Sequence, residues 1–112
     1  MSQKILPDIR RMLGIEGDDQ FDDEIIPLIN AELSTIVMIG IGPENGFAIE
    51  TGDETWDDFT MNGVAQNIAR EYIALRVGMI WDPPQNSFVN DTKMKKSAEL
   101  EWRLRILGEP EV

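Results

Sequence analysis

Apolar residues along the chain recur at steps of three and four, the spacing that places side chains on one face of an α-helix. Breaks rich in Gly and Pro divide this pattern into four segments, so we expect four helices. The first is predicted over Lys4–Leu13 and is ended by Gly14. The second is predicted over Phe21–Ile39, where Pro27 should kink the helix or fray its first turn.

The third predicted helix, from Thr55 to Trp81, has the strongest pattern. Thr55 followed by Asp58 is typical of a capping box at a helix start, and the pair Pro83 and Pro84 stops the helix. Two adjacent apolar rows indicate a helix that is covered on more than one side, which predicts a central position in the fold. The rows are Met61, Ala65, Ile68, Tyr72, Leu75 and Met79, and Ala69, Ile73, Val77 and Ile80.

The fourth helix is predicted over Ser87–Leu107, with Ser87 or Asn90 as its N-cap. It also has two apolar rows, and its charged residues form pairs at the i,i+4 spacing that stabilises helices. The rows are Met94, Ala98, Trp102 and Ile106, and Leu100, Leu104 and Leu107; the pairs are Glu99 with Arg103 and Glu101 with Arg105.

The connection Gly40–Thr55 is long for a compact domain, and connections of this length are often functional. Within it, Phe47–Thr51 alternates weakly and is compatible with a short strand. We therefore expect an all-α, four-helix bundle-like single domain over residues 1–107. Its features are a long central third helix, a long glycine-containing loop between the second and third helices, and a short C-terminal tail at 108–112.

The composition argues against an enzyme. The 112 residues include no Cys and no His, which removes thiol chemistry, the commonest general base and the commonest metal ligand. The acidic stretch Glu16–Glu24 has no glycine at the sharp turn of a calcium loop and no glutamate at its final ligand position. Helix capping is therefore the favoured interpretation. The run Gly40–Gly46 lacks the third glycine and the lysine of nucleotide loops. We expect no cofactor, no metal and no membrane-spanning segment.

The charge is unevenly distributed along the chain. Residues up to Thr60 contain 14 acids and three bases, a net charge of −11, whereas the remainder contains seven acids and seven bases. A surface this acidic repels phosphate backbones, which argues against ordinary nucleic-acid binding. Two interpretations stay open: the charge keeps the domain soluble, or the domain is a DNA mimic or antirepressor that binds a nucleic-acid-binding protein. A general helical interaction module is a further alternative.

Several segments resemble the head–tail connector proteins of tailed bacteriophages, the small adaptor (head-completion) subunits of siphophages that infect Gram-positive bacteria. The similarity to the C-terminal part of these proteins lies in Trp81-Asp82-Pro83-Pro84-Gln85-Asn86-Ser87-Phe88-Val89, Met94-Lys95-Lys96 and Leu100-Glu101-Trp102-Arg103-Leu104. The N-terminal part is similar in its short helix ending at Leu13-Gly14-Ile15, its acidic turn Asp18-Asp19 and its helix closing at Ile39-Gly40. The resemblance covers most of the chain, including the helix order.

This resemblance implies a non-enzymatic structural protein of the virion, assembled in the host cytoplasm. Its subunits would form a ring beneath the portal protein, extend the DNA channel, and join the capsid to a stopper or tail-completion protein. A subunit can be monomeric before it docks. Family members dock on the portal through their C-terminal segment, which here implies Arg103, Arg105, Ile106, Leu107 and the tail beyond.

Two further sets of residues are candidates in this context. Aromatic and proline residues at helix ends and in the loop, together with a lysine cluster, are candidates for contacts between subunits. These are Phe47, Trp81, Pro83, Pro84, Phe88, Lys93, Lys95 and Lys96. Acids at the end of the long loop are candidates for the channel wall, where negative charge would let DNA slide without binding: Asp53, Glu54, Asp57 and Asp58.

Overall fold

The computed structural model describes residues 3–109, and within them every regular element is a helix. The predicted all-α class is confirmed. The helices are α1 (Ile5–Met12), α2 (Asp22–Ile39), α3 (Trp56–Phe59), α4 (Gly63–Trp81) and α5 (Ser87–Gly108). The last three residues of the predicted tail lie outside the described residues.

Helix α2 is continuous through Pro27, whose side chain is exposed. The ring removes one backbone donor, but the freed carbonyl belongs to the exposed Asp23, where water can bond it. The helix ends at Gly40, which has a φ of 114° in the left-handed region and donates its N–H to the Val37 carbonyl. Pro27 is therefore tolerated inside the helix.

The predicted third helix is divided in two. The capping box of Thr55 and Asp58 is present, but it starts a helix of only four residues, because Thr60 adopts an extended conformation. Asn62 then caps a new helix by accepting the N–H of Ala65 at 3.1 Å. The division buries Trp56 and Phe59 and leaves Met61, which a continuous helix would bury, 78% exposed.

Helix α4 is central, as the double apolar row predicts: it packs against α1, α2 and α5. Tyr72, Ile73 and Val77 on this helix are buried. At one end of the bundle, α2 and α5 meet backbone to backbone at Gly40 and Gly108. A β-carbon on Gly108 would lie 2.5 Å from the Ile39 carbonyl oxygen, so only glycine fits this crossing.

Two local predictions are wrong. The N-cap of α5 is Asn86, whose side chain accepts the N–H of Phe88 at 2.8 Å, and not Ser87 or Asn90. The segment Phe47–Thr51 forms no strand. Its Ile49 pairs instead with the Asn30 amide of α2, through an N–H···O bond of 2.8 Å and a carbonyl bond of 3.0 Å. A side chain thus replaces the missing partner strand.

Candidate functional site

A buried carboxylate joins helices α1, α3 and α4. Asp8 of α1 accepts hydrogen bonds from Trp56 Nε1 of α3 at 2.9 Å and from Arg70 Nη2 of α4 at 3.0 Å, and it also pairs with Arg11. Burial alone would raise the pKa of Asp8, but the bonds from Arg70, Trp56 and Arg11 outweigh burial and lower it. The same pairing raises the pKa of Arg70. This cluster is structural, since no buried side-chain nitrogen or oxygen among residues 3–109 lacks a hydrogen-bond partner.

Three lysines among residues 3–109 form no ion pair. Within residues 3–109, every arginine and Lys4 pairs with a carboxylate, whereas Lys93, Lys95 and Lys96 pair with none. Both i,i+4 pairs predicted on α5 are present, Arg103 with Glu99 at 2.7 Å and Arg105 with Glu101 at 3.5 Å. The positive charge available to a partner is therefore concentrated on the first half of α5.

Two of the unpaired lysines line a groove of about 400 Å³ between the end of α1, the second half of α4 and the first half of α5. Lys93 and Lys96 stand three residues apart and share a face of α5. We call this feature the lysine groove. Its apolar lining is Met12, Leu13, Ala74, Leu75, Gly78, Trp81 and Leu100, and its two acids are Glu71 and Asp82.

Local packing keeps the lysine groove open. Gly78 has no side chain, and a β-carbon there would touch the Leu13 side chain at 3.4 Å. Trp81 is held in place by an edge contact with Phe21, with ring centroids 5.1 Å apart, and by a 3.4 Å bond from its Nε1 to Glu24. An apolar lining with unpaired cations is suited to a partner segment that combines carboxylates with apolar side chains.

The structure brings together three of the eight candidates for subunit contacts, namely Trp81, Lys93 and Lys96. The others lie apart from the groove. Phe47 packs on Phe59, with ring centroids 5.4 Å apart, and Phe88 is exposed at the start of α5. Pro83, Pro84 and Lys95 do not line the groove either: the prolines form the α4–α5 turn, and Lys95 is exposed on α5.

The candidate channel acids follow one another around the end of the long loop, and each has a local partner. Asp53 accepts from Lys4 at 3.0 Å, Asp57 accepts from Gln66 at 2.7 Å, and Asp58 accepts the backbone N–H of Thr55 at 2.9 Å. All three are exposed. Their contacts support the loop while the carboxylates lie at the surface.

Glu54 organises that loop. Its carboxylate accepts the backbone N–H groups of Glu50 at 2.7 Å, Thr51 at 3.2 Å and Gly52 at 2.9 Å. Partial burial would raise the pKa of Glu54, but these N–H donors outweigh it and lower the pKa to about 2. A substitution of Glu54 would therefore disturb the backbone as well as the charge.

The candidates for portal docking lie at the end where α5 crosses α2. Ile106 is 47% exposed and Leu107 is 37% exposed, and both arginines of this segment are exposed too. Met38, two residues before the crossing glycine of α2, is 88% exposed. This end thus presents apolar side chains beside basic ones.

The sequence pattern did not predict the exposure of Met61 and Val64. The apolar pattern places Met61 in a core-facing row and makes no prediction for Val64. In the structure Met61 is exposed at the break between α3 and α4, and Val64 is 60% exposed in the first turn of α4. The α5 row that contains Met94, Trp102 and Ile106 is also exposed, with Trp102 at 62%. Asn62 is a residue type that commonly caps helices, and a clear apolar pattern begins six residues after it. This is the sequence signal that indicates the break between α3 and α4.

No group of carboxylates among residues 3–109 is arranged to hold a metal ion. The described part of the chain also contains no helix that is both long and apolar enough to span a bilayer.

Comparison with known proteins identifies the family. The model of a family described as phage connector protein matches residues 5–111. No curated protein and no solved structure matches the chain. Phage connector proteins are structural proteins of the virion, not known for catalysis, and they interact with other head and tail proteins. The chain belongs to the phage connector protein family, and its role lies in the head–tail connector of a bacteriophage.

Proposed function

We propose that this protein is the adaptor subunit of the connector. Copies of it form a ring beneath the portal, extend the DNA channel, and join the capsid to the stopper or tail-completion protein. The ring sits at the head–tail interface of the virion and is assembled in the host cytoplasm, from subunits that are monomeric before docking. Residues 1–107 act as one domain, and DNA passes without sequence-specific binding.

The observation that carries this proposal is the exposed apolar row of α5. Met94, Trp102 and Ile106 lie on the outside of a helix whose other face, with Leu100 and Leu104, already fills the core. A helix that is apolar on both sides serves the fold with one face and a partner with the other. The row ends at the basic segment around Arg103 and Arg105, where the portal would be contacted.

Electron microscopy of the purified protein mixed with its portal tests this function. We expect a ring of density on the tail-facing side of the portal. The variant Ile106→Glu with Leu107→Glu should lose this density, because docking would bury two unpaired charges in an apolar contact. Ile80→Glu is the matched control and should retain the density. Ile80 lies near the C-terminal end of α4 and is 56% exposed in the wild type.

The alternative role as a DNA mimic or antirepressor rests on the net charge of −11. The family match over residues 5–111 favours the connector. Displacement of DNA from a binding protein by this domain, without recruitment to a portal, would reverse that preference.

A further inference from the structure

We propose that the lysine groove of one copy binds an acidic corner on a second copy. This corner consists of Asp57, Asp58, Met61 and Val64, at the junction of α3 and α4. The proposal deepens the proposed function and rests on it, since it assigns the two surfaces through which neighbouring subunits of the ring meet.

The groove supplies cations that form no ion pair within residues 3–109. Lys93 and Lys96 form no ion pair with any residue in 3–109, although acids outnumber bases by 11 in the whole chain. A surface that leaves lysines unpaired amid so many carboxylates is available for carboxylates of another molecule. The apolar lining beside them, including Leu75 and Trp81, adds a place for apolar side chains.

The acidic corner has the complementary chemistry. Met61 and Val64 are among the exposed large apolar side chains, and the acids Asp57 and Asp58 precede them by a few residues and are exposed. The extended Thr60 separates α3 from α4 at this point. Two carboxylates and two apolar side chains between Asp57 and Val64 match a groove with two lysines and an apolar lining.

The two surfaces lie at opposite ends of α4 and cannot meet within one chain. Val64 is in the first turn of this helix and Gly78, which lines the groove, is 14 residues further along. At 1.5 Å per residue the separation is about 21 Å. The contact must therefore join two copies, and because it joins unlike surfaces it propagates from copy to copy, as a ring or chain requires.

A double-cysteine experiment tests the contact directly, because the chain has no natural cysteine. One copy carries Met61→Cys at the corner and the other carries Met12→Cys in the groove. Under oxidising conditions at about 1 mM protein, where a millimolar contact is half formed, we expect a disulfide-linked dimer of these two variants. Its yield should exceed by about tenfold the yield for Met38→Cys, an exposed control site, with the same groove variant.

A charge exchange sharpens the test. In the groove protein that carries Met12→Cys, Lys93→Glu with Lys96→Glu should lower the cross-link yield about tenfold. For the corner protein the cysteine is moved to position 57 by Asp57→Cys, and Met61→Lys with Val64→Lys should then lower the yield by about the same factor. Mixing a copy of each type should restore the link, since the two introduced lysines then face the two introduced glutamates. Lys95→Glu, on the same helix outside the groove, should leave it unchanged. Circular dichroism of each variant checks folding.

Three results would overturn the proposal: no excess of corner-to-groove links, a preference for links between like sites, or insensitivity to the two groove substitutions. Its failure is distinct from failure of the adaptor function. If the protein with Lys93→Glu and Lys96→Glu still forms a complete ring on the portal, the assigned contact is wrong and the adaptor role stands. If wild-type protein never binds the portal, the adaptor role fails.

Discussion

Asp8 shows how one side chain ties three helices together. It lies on α1 and its partners Trp56 and Arg70 lie on α3 and α4, so the short helices are anchored to the central one. Because the folded pKa of Asp8 is lowered, its contribution to stability is present above the ordinary pKa of 3.8 and is lost as the pH falls through the lower folded pKa.

Asp8→Asn should destabilise the protein by about 2–3 kcal/mol at neutral pH. The substitution leaves Arg70 and Arg11 without their carboxylate, although both arginines reach solvent, which moderates the loss. Urea denaturation measures it, and the difference from wild type should shrink at acidic pH. Asp91→Asn, an exposed acid on α5, is the control, expected within about 0.5 kcal/mol of wild type. Equal stability of Asp8→Asn and wild type would contradict the structural role.

Tyr72 gives a direct reading of the core between α4 and α5. Burial, and then the negative charge of Glu32, raise its pKa to about 12. It is the only tyrosine in the chain, so its ionisation can be followed by ultraviolet absorbance. We expect little ionisation of the folded protein at pH 10 and normal ionisation in urea. Since the folded pKa is raised, the associated stability is lost as the pH rises from about 10 to about 12.

At the scale of elements, the crossing of α2 and α5 reverses the usual preference of a helix for alanine over glycine. Replacing a helical glycine by alanine usually stabilises a helix by about 1 kcal/mol. At Gly108 the added β-carbon would meet the backbone of Ile39, so the two helices would have to separate.

Gly108→Ala should therefore destabilise the protein by about 1–3 kcal/mol, the cost of overpacking a close contact. Thermal and urea denaturation measure this effect. Gly63→Ala in the first turn of α4 is the matched control, because a β-carbon there meets no atom within 4 Å. That variant should be equal to wild type or more stable. A stabilising Gly108→Ala would mean that the crossing is looser than the structure indicates.

The long loop is an element in its own right, although it contains no strand. The Glu54 carboxylate collects three backbone N–H groups at one end, and Asn30 of α2 holds Ile49 in the middle. Those polar contacts replace the hydrogen bonds that regular secondary structure would provide. The loop is therefore able to present exposed acids in a defined position.

For the whole molecule, the uneven charge is the feature most relevant to a DNA channel. Fixed negative charge opposes the phosphate contacts that would hold passing DNA, and this effect weakens as salt increases. The structure narrows the useful test to Asp53 and Asp57, since Glu54 and Asp58 also hold the backbone of the loop.

If these acids line the channel, virions carrying Asp53→Lys with Asp57→Lys should eject DNA severalfold more slowly at low salt, with the defect reduced at high salt. Fluorescence of released DNA measures the rate in virions whose connector ring is complete by electron microscopy, because Asp57 also belongs to the acidic corner proposed for the subunit contact. Asp53→Asn with Asp57→Asn should have a smaller effect, and Glu16→Lys with Asp19→Lys, the same charge change at another place, should have none. Normal ejection by the lysine variant would leave solubility as the role of the charge.

The sequence alone determined the helical class, the bounds of α2 to within a residue, the end of α4, the central position of that helix, and the connector family. The helix properties follow from local signals, namely apolar periodicity and breakers such as Pro83. Such signals act over one or two turns, so they can be read without knowing the packing. The connector family follows from the resemblance of segments such as Trp81–Val89 to known connector proteins.

Tertiary structure decided the division at Thr60, the N-cap at Asn86, and which apolar rows are buried. A row such as Met94, Trp102 and Ile106 has the period of a core face, but burial depends on whether another helix covers it, and none does. The lysine groove likewise exists only because α1, α4 and α5 meet beside Gly78. Periodicity reports the direction of a side chain from its own helix, whereas the neighbour that it meets is set by the arrangement of distant segments.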